Sequence, residues 1–346
     1  MNIGPSRRSP VLFGLIVFAV VCAILVIALS IGFAVHFLRA GPGPSINEAQ
    51  ASATIEVGEA PWGVAVDTAT HTVYVTNKDS DTVSVIDGAT RTVTATIGVG
   101  DNPRGLAIDP ATHSVYVANS QSNSVSVIDG ASLTVVATVA VGDRPFGVAV
   151  DSAEQSVYVT NYLGNSVSVI DTKRVAVEAT IQVGTNPSEV VVDTTTHTAY
   201  VINVEDWTIS VIDTTNNHAA EDIYVGGSPH GVAVDPATQT IYVGVRKISD
   251  GEEDTFVLPI DAENRTSTTV VSLDGDPVRT ALDSDNHVLY ATVADPDRLV
   301  VIDPRTRAVT DIFKVGDFPG GIAVDPETRT VYVANFTNGT ISVVIR

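Results

Sequence analysis

The chain has 346 residues, 40 of them acidic and 19 basic, for a formal net charge of −21. That balance opposes non-specific binding to nucleic acid or to an anionic membrane surface. One cysteine, Cys22, allows no intrachain disulfide, and a chain of this length needs none to bury a core.

Residues 1–10 form a short N-terminus, expected to be cytoplasmic. From Val11 to Leu38 there is no Asp, Glu, Lys or Arg, and most residues are Val, Ile, Leu, Phe or Ala. As a helix this run would be roughly 42 Å long, enough to cross a bilayer core of roughly 30 Å. It exceeds the apolar core of a secretory signal peptide, about 7–15 residues. Arg7 and Arg8 precede it and Arg39 follows closely. The positive-inside tendency therefore predicts an uncleaved signal-anchor over residues 11–38, with everything beyond Arg39 outside the cell. The alternatives are cleavage near Ala40 and, less well supported, a lipoprotein at Cys22, which follows Val20-Val21 where a small residue is wanted. Residues 39–50 read as a linker, stiffened by Gly41-Pro-Gly-Pro-Ser45.

Residues 51–346 are built from seven copies of one phrase, beginning at Pro61, Pro103, Pro145, Pro187, Pro229, Pro277 and Pro319. The spacings are 42, 42, 42, 42, 48 and 42 residues. The first copy reads Pro61-Trp-Gly-Val-Ala-Val-Asp67, Val73-Tyr-Val-Thr-Asn77, Val83-Ser-Val-Ile-Asp87 and an alternating tail ending at Gly100. Four short strands in a period of about forty residues predict a blade of an all-β propeller. Strand a is apolar on both faces, as an inner strand must be between neighbouring blades. The last copy ends at Arg346 without a strand d, while Ser52-Ala-Thr-Ile-Glu-Val-Gly58 matches Thr94-Ala-Thr-Ile-Gly-Val-Gly100. Residues 51–57 are therefore expected to pair with the C-terminal strand and close a seven-bladed ring of four-stranded blades.

Tyr74-Val-Thr-Asn77 and Tyr158-Val-Thr-Asn161, with near copies at Tyr116, Tyr200 and Tyr332, make this region resemble the YVTN-family β-propellers. That resemblance implies an exported or surface-layer protein, often a binding one, and hands over no catalytic residue.

The turns sort into two classes. Those between strands a and b, such as Asp67-Thr-Ala-Thr-His-Thr72, scarcely vary, and their histidines (His71, His113, His197, His287) are spread around the ring. They read as turn structure, because a metal site needs convergence. On the opposite, top face the residue after each repeated proline diverges: Trp62, Arg104, Phe146, Ser188, His230, Val278, Gly320. These seven positions are expected to ring the channel mouth. The next glycine becomes Glu189 in the fourth copy and Arg279 in the sixth, so their side chains should point into the mouth, either as a polar pocket with Arg104 and His230 or as an ion pair plugging the channel. The b-to-c connections add Lys78, Tyr162, Trp207 and Phe336 to this face. The fifth copy carries a six-residue insertion within 245–256, expected as a long charged loop; Asp250, Glu252, Glu253 and Asp254 there either bind calcium or are solvated.

No sequence motif of hydrolase, metalloprotease, nucleotide, dinucleotide or haem chemistry is present. Asn264, Asn335 and Asn338 begin N-glycosylation triplets, relevant only in a glycosylating host.

The expected function is a single-pass, membrane-anchored propeller outside the cell that binds a protein or envelope polymer through its top face. Trp62, Arg104, Phe146, Tyr162, His230 and Phe336 are the binding candidates, with no metal, no cofactor and no nucleic acid. The alternative is a propeller enzyme, like lactonases, lyases or dehydrogenase subunits, using His230 as general base or acid, Glu189 as its partner, and Arg104 or Arg279 to hold an anionic substrate. A purely structural surface protein is a third reading.

Overall fold

The structure, a computed structural model, describes residues 48–346; the apolar run 11–38 and most of the linker lie outside them. Seven antiparallel sheets follow one another along the chain, each starting near a repeated proline. Blade one is representative: Pro61–Asp67, Thr72–Asn77, Thr82–Asp87 and Thr92–Gly98 are strands a to d. Burial peaks in the middle of each blade. Strands b and c are almost wholly buried, whereas strand d exposes every residue but one or two. Between adjacent sheets lie clusters of Val, Ile, Leu and Tyr, for instance Tyr74, Val83, Val85 and Ile97 packed on Leu106, Val115, Val117 and Ile128.

The ring closes as the sequence predicts. Ala53–Glu56 pairs with Thr340–Ile345 in the register Ala53↔Val343 to Glu56↔Thr340, standing as the missing strand d of blade seven. One segment departs from expectation. Glu48–Gln50, read as linker, is a strand that runs parallel to Ala308–Lys314 and gives blade six a fifth strand. Arg298 holds it in place, with its Nε 3.2 Å from the Glu48 carboxylate. The N-terminal chain thus clasps two consecutive blades.

Strand d of blades four and five is split into two short pieces, His218–Ala219 with Ile223–Tyr224 and Thr266–Ser267 with Val271–Ser272. Each break coincides with the one-residue β-bulge that regular blades carry at this point, as between Val85 and Ile86. The insertion of blade five also differs from the expected loop. It lengthens strands b and c into Thr240–Ser249 and Glu252–Asp261, paired out to Ser249↔Glu252. The turn residues Asp250 and Gly251 both have positive φ (53° and 82°), the Asp-Gly hairpin geometry.

Tyr, Thr and Asn of the repeated Tyr-Val-Thr-Asn phrase each have a structural task. The tyrosine is buried against the next blade, and Tyr158 reaches across to donate to Asn217 Oδ1 (3.0 Å) and Thr214 O. Its burial raises the phenol pKa. Thr76 Oγ1 accepts from Gly63 N in its own blade (2.8 Å) and donates to Arg104 O in the next (2.6 Å); Thr160 repeats this between blades three and four. Asn77 donates to Thr82 and Ser84 and accepts from Gly58 N. At the bottom, His71 Nδ1 bonds Asp325 of blade seven (2.8 Å) and His113 Nδ1 bonds Asp67 of blade one (2.7 Å). These histidines are inter-blade latches as well as turn residues, all with positive φ.

Ile55, 6% exposed in the closing strand, packs into the cluster between blades seven and one. Ile55→Ala is expected to lower stability by about 2–4 kcal/mol, and deletion of residues 46–58 by more, because it also leaves an unpaired edge. Urea midpoints check this; a deletion variant as stable as wild type would refute ring closure by this strand.

Candidate functional site

The residue after each repeated proline sits in a bulge. In blade one Pro61 pairs with Asn77 and Val64 with Val75, so Trp62 and Gly63 stand out of register, and five other blades share this pattern. A bulge re-aims a side chain, here toward the mouth. Glycine follows for a steric reason. A Cβ on Gly63 would lie 2.5 Å from the carbonyl oxygen of Arg104, and at Gly105, Gly147 and Gly321 the next blade's carbonyl would be closer still. Blades four and six break that rule with Glu189 and Arg279, and it is these two that meet: Arg279 Nη2 lies 2.9 Å from Glu189 Oε1. Their side chains are only 14% and 21% exposed, so the pair is largely withdrawn from water. The expected ion pair therefore forms.

That pair does not stand alone. Trp62 meets Phe146 edge-on at 5.9 Å between ring centroids and Phe336 at 5.7 Å; Phe146 lies 5.8 Å from Tyr162, and Phe336 5.8 Å from Phe318. Two guanidinium groups lie over the same two rings. Arg104 Cζ is 4.7 Å from the Trp62 ring and 5.1 Å from Phe146, while Arg279 Cζ is 5.5 and 5.7 Å from them. Lys78 Nζ, 5.2 Å above Phe336, adds a third cation–π contact. Such contacts are each worth about 0.5–2 kcal/mol, more when desolvated. Blades one, two, three, six and seven thus feed one connected cluster of rings and cations.

Trp62, Arg104, Phe146, Glu189, Arg279, Tyr162, Phe336 and Lys78 are brought together as expected. Ser188 is buried, and Val278 and Gly320 add no polar group. Trp207 has no ring contact among the described residues and is 43% exposed, in the turn position where other blades place Asp81, Asn123 or Asn165 with positive φ. Phe318 was missed by sequence reasoning. It precedes the repeated proline at φ 53° and is 45% exposed; the signal was a phenylalanine at a position filled elsewhere by Ala60, Asn102, Arg144 and Asn186.

His230 is half-buried beside two positive charges. Burial first, then Arg279 and Arg246, push its pKa down to about 4. Among the described residues no hydrogen bond joins it to Glu189, whose carboxylate is held by Arg279. On the extended hairpin of blade five, Arg246 pairs with Glu253 and, at 3.2 Å, with Asp276. No group of three or more His, Cys, Asp or Glu among the described residues is placed to hold a metal ion.

A family model described as a YNCE-like beta-propeller matches residues 50–148, the closing strand and the chain as far as strand a of blade three. Many solved structures share the fold. One, titled Kuenenia stuttgartiensis Hydrazine Synthase, superposes with a TM-score of 0.76 over 90% of this chain and 99% of its own, at 19% identity. At that identity the likeness speaks for the fold alone. No curated protein matches the chain.

The depressed pKa of His230 has a signed consequence. Its unfolded value is near 6.5, so the stability of the neutral, buried form is complete above that pH and is lost as pH falls toward 4. By pH 5 the loss amounts to about 2 kcal/mol. His230→Gln should therefore show a smaller drop in urea midpoint between pH 7 and pH 5 than wild type. Equal drops would mean that His230 is not held neutral.

Proposed function

We propose that this chain is a membrane-anchored, extracytoplasmic propeller that binds a protein or cell-envelope polymer through its top face. The observation that supports it best is the concentration of aromatic rings and cations on one rim of an otherwise repetitive ring. Trp62, Phe146, Phe336, Tyr162 and Phe318 form one connected set there. Aromatics and arginine are the residues that most often anchor an interface. Residues 11–38 supply the anchor in this reading and residues 39–47 the tether, on the strength of the uncharged apolar run and its flanking arginines. The acidic remainder of the chain favours a partner that is not a nucleic acid.

The enzymatic alternative fits less well. A general base works best with a pKa near the operating pH, and His230 lies well below neutrality. Its intended partner Glu189 is occupied by Arg279.

Affinity capture from envelope extract, with the full-length protein as bait, separates the readings. A partner retained by wild type and by His230→Ala, but lost from a folded Trp62→Ala/Phe146→Ala variant, is the expected result. A partner that survives the double substitution would move the interaction off this face, and catalytic turnover lost in His230→Ala would favour the enzyme.

A further inference from the structure

Two guanidinium groups share the rings of Trp62 and Phe146, but only one has an anion. Arg279 is neutralised by Glu189 at 2.9 Å and caps Val278 O with Nη1. Arg104 donates through Nε to the side-chain amide oxygen of Asn102 (3.1 Å), a neutral partner. Among the described residues no carboxylate lies within ion-pair distance of Arg104, and its two terminal nitrogens carry no hydrogen bond. The carboxylate of Asp79 acts on Arg104 from a distance while bound to Lys78 at 2.9 Å. This is anomalous in a chain with twice as many acidic as basic residues. A guanidinium withdrawn from water next to a second one is costly unless something supplies negative charge.

We infer that the mouth is a carboxylate-binding site in which the free face of Arg104 takes the carboxylate of a ligand whose apolar body lies against Trp62 and Phe146. The fork of terminal N–H donors suits a planar carboxylate bidentately. The aromatic walls hold Arg104 in place through cation–π contact, so little side-chain freedom is lost on binding. Burial, followed by repulsion from Arg279 and Arg144, holds the Arg104 pKa below its ordinary value, and an anion would relieve that repulsion. The acidic surroundings disfavour a polyanion and select for a ligand with one compact negative group. The inference rests on the top face being a binding surface and names the chemistry it recognises.

The probe is 3-phenylpropanoate, with 3-phenylpropanamide as its uncharged isostere and inorganic phosphate as a second anion. The chain has two tryptophans, so full-length protein in a Trp207→Phe background reports from Trp62 alone. Saturable change in Trp62 fluorescence with the carboxylate, none with the amide, and about tenfold weaker binding in Arg104→Gln are expected. Glu189→Gln should tighten binding severalfold, because it frees Arg279 for the ligand; this gain cannot arise from misfolding. Equal response to acid and amide, unchanged affinity in Arg104→Gln, or no saturable response at all would overturn the assignment. Response to phosphate without response to the carboxylate would overturn it too, identifying a phosphate site. Partner capture that depends on Trp62 and Phe146 but not on Arg104, with no carboxylate binding, would sink this inference and leave the interaction surface standing.

Discussion

At five of the seven repeats, inner strands of neighbouring blades approach so closely near the axis that a single methyl group does not fit between them. At Gly63 an added Cβ would meet the next blade's carbonyl at 2.5 Å, and the equivalent glycines are no roomier. This contact fixes how the blades splay and leaves the side chain before each glycine, lifted by its bulge, as the main source of chemistry at the mouth. The two positions that escape glycine, Glu189 and Arg279, are bonded to each other. These two long charged side chains neutralise each other at the mouth.

Scaffold and site therefore separate cleanly within each repeat. Tyr, Thr and Asn of the repeated phrase are consumed by joints between blades or within one: Tyr158 to Asn217, Thr76 to Arg104 O, Asn77 to Ser84. They are buried in these joints, although the side-chain oxygens of Asn119, Asn161 and Asn203 accept no hydrogen bond. The residues that vary between copies stand instead where the bulge turns them inward. Electrostatics adds a contrast, because an acidic body surrounds a mouth holding Arg104, Arg279 and a neutral His230.

The ring, its closing strand and the rim positions were legible in the sequence because glycine, proline and Asx punctuation recurs in phase seven times, and Ser52–Gly58 repeats a known strand d. Other features needed the third dimension. That Arg104 and Arg279 share two rings depends on distances across the axis, which no spacing along the chain encodes. Glu48–Gln50 matches no repeat, and its parallel pairing with Ile312–Lys314 is decided by the exposed edge it meets. The blade-five hairpin was legible in principle: Asp250-Gly251 is a strong two-residue turn signal, but the surrounding charges made the segment read as a loop. The histidine latches were half visible, since the repeat fixed their turn but not that Asp67 and Asp325 of neighbouring blades would receive them.

The double clasp of the N-terminal segment has a mechanical side. Glu48–Gln50 lies along the outer strand of blade six and Ala53–Glu56 forms the outer strand of blade seven before the chain enters the ring. A load on the chain before Glu48 would reach the parallel pairing of Glu48–Gln50 before it reached Ala53–Glu56. Hydrogen bonds pulled along a strand share the load and yield together, whereas a strand lifted outward gives them up one at a time. A pull would also have to shear the Glu48–Arg298 contact before any force reached the strand that seals the ring. The short parallel strand thus stands as a strain relief between the closure of the propeller and any load on the chain before Glu48.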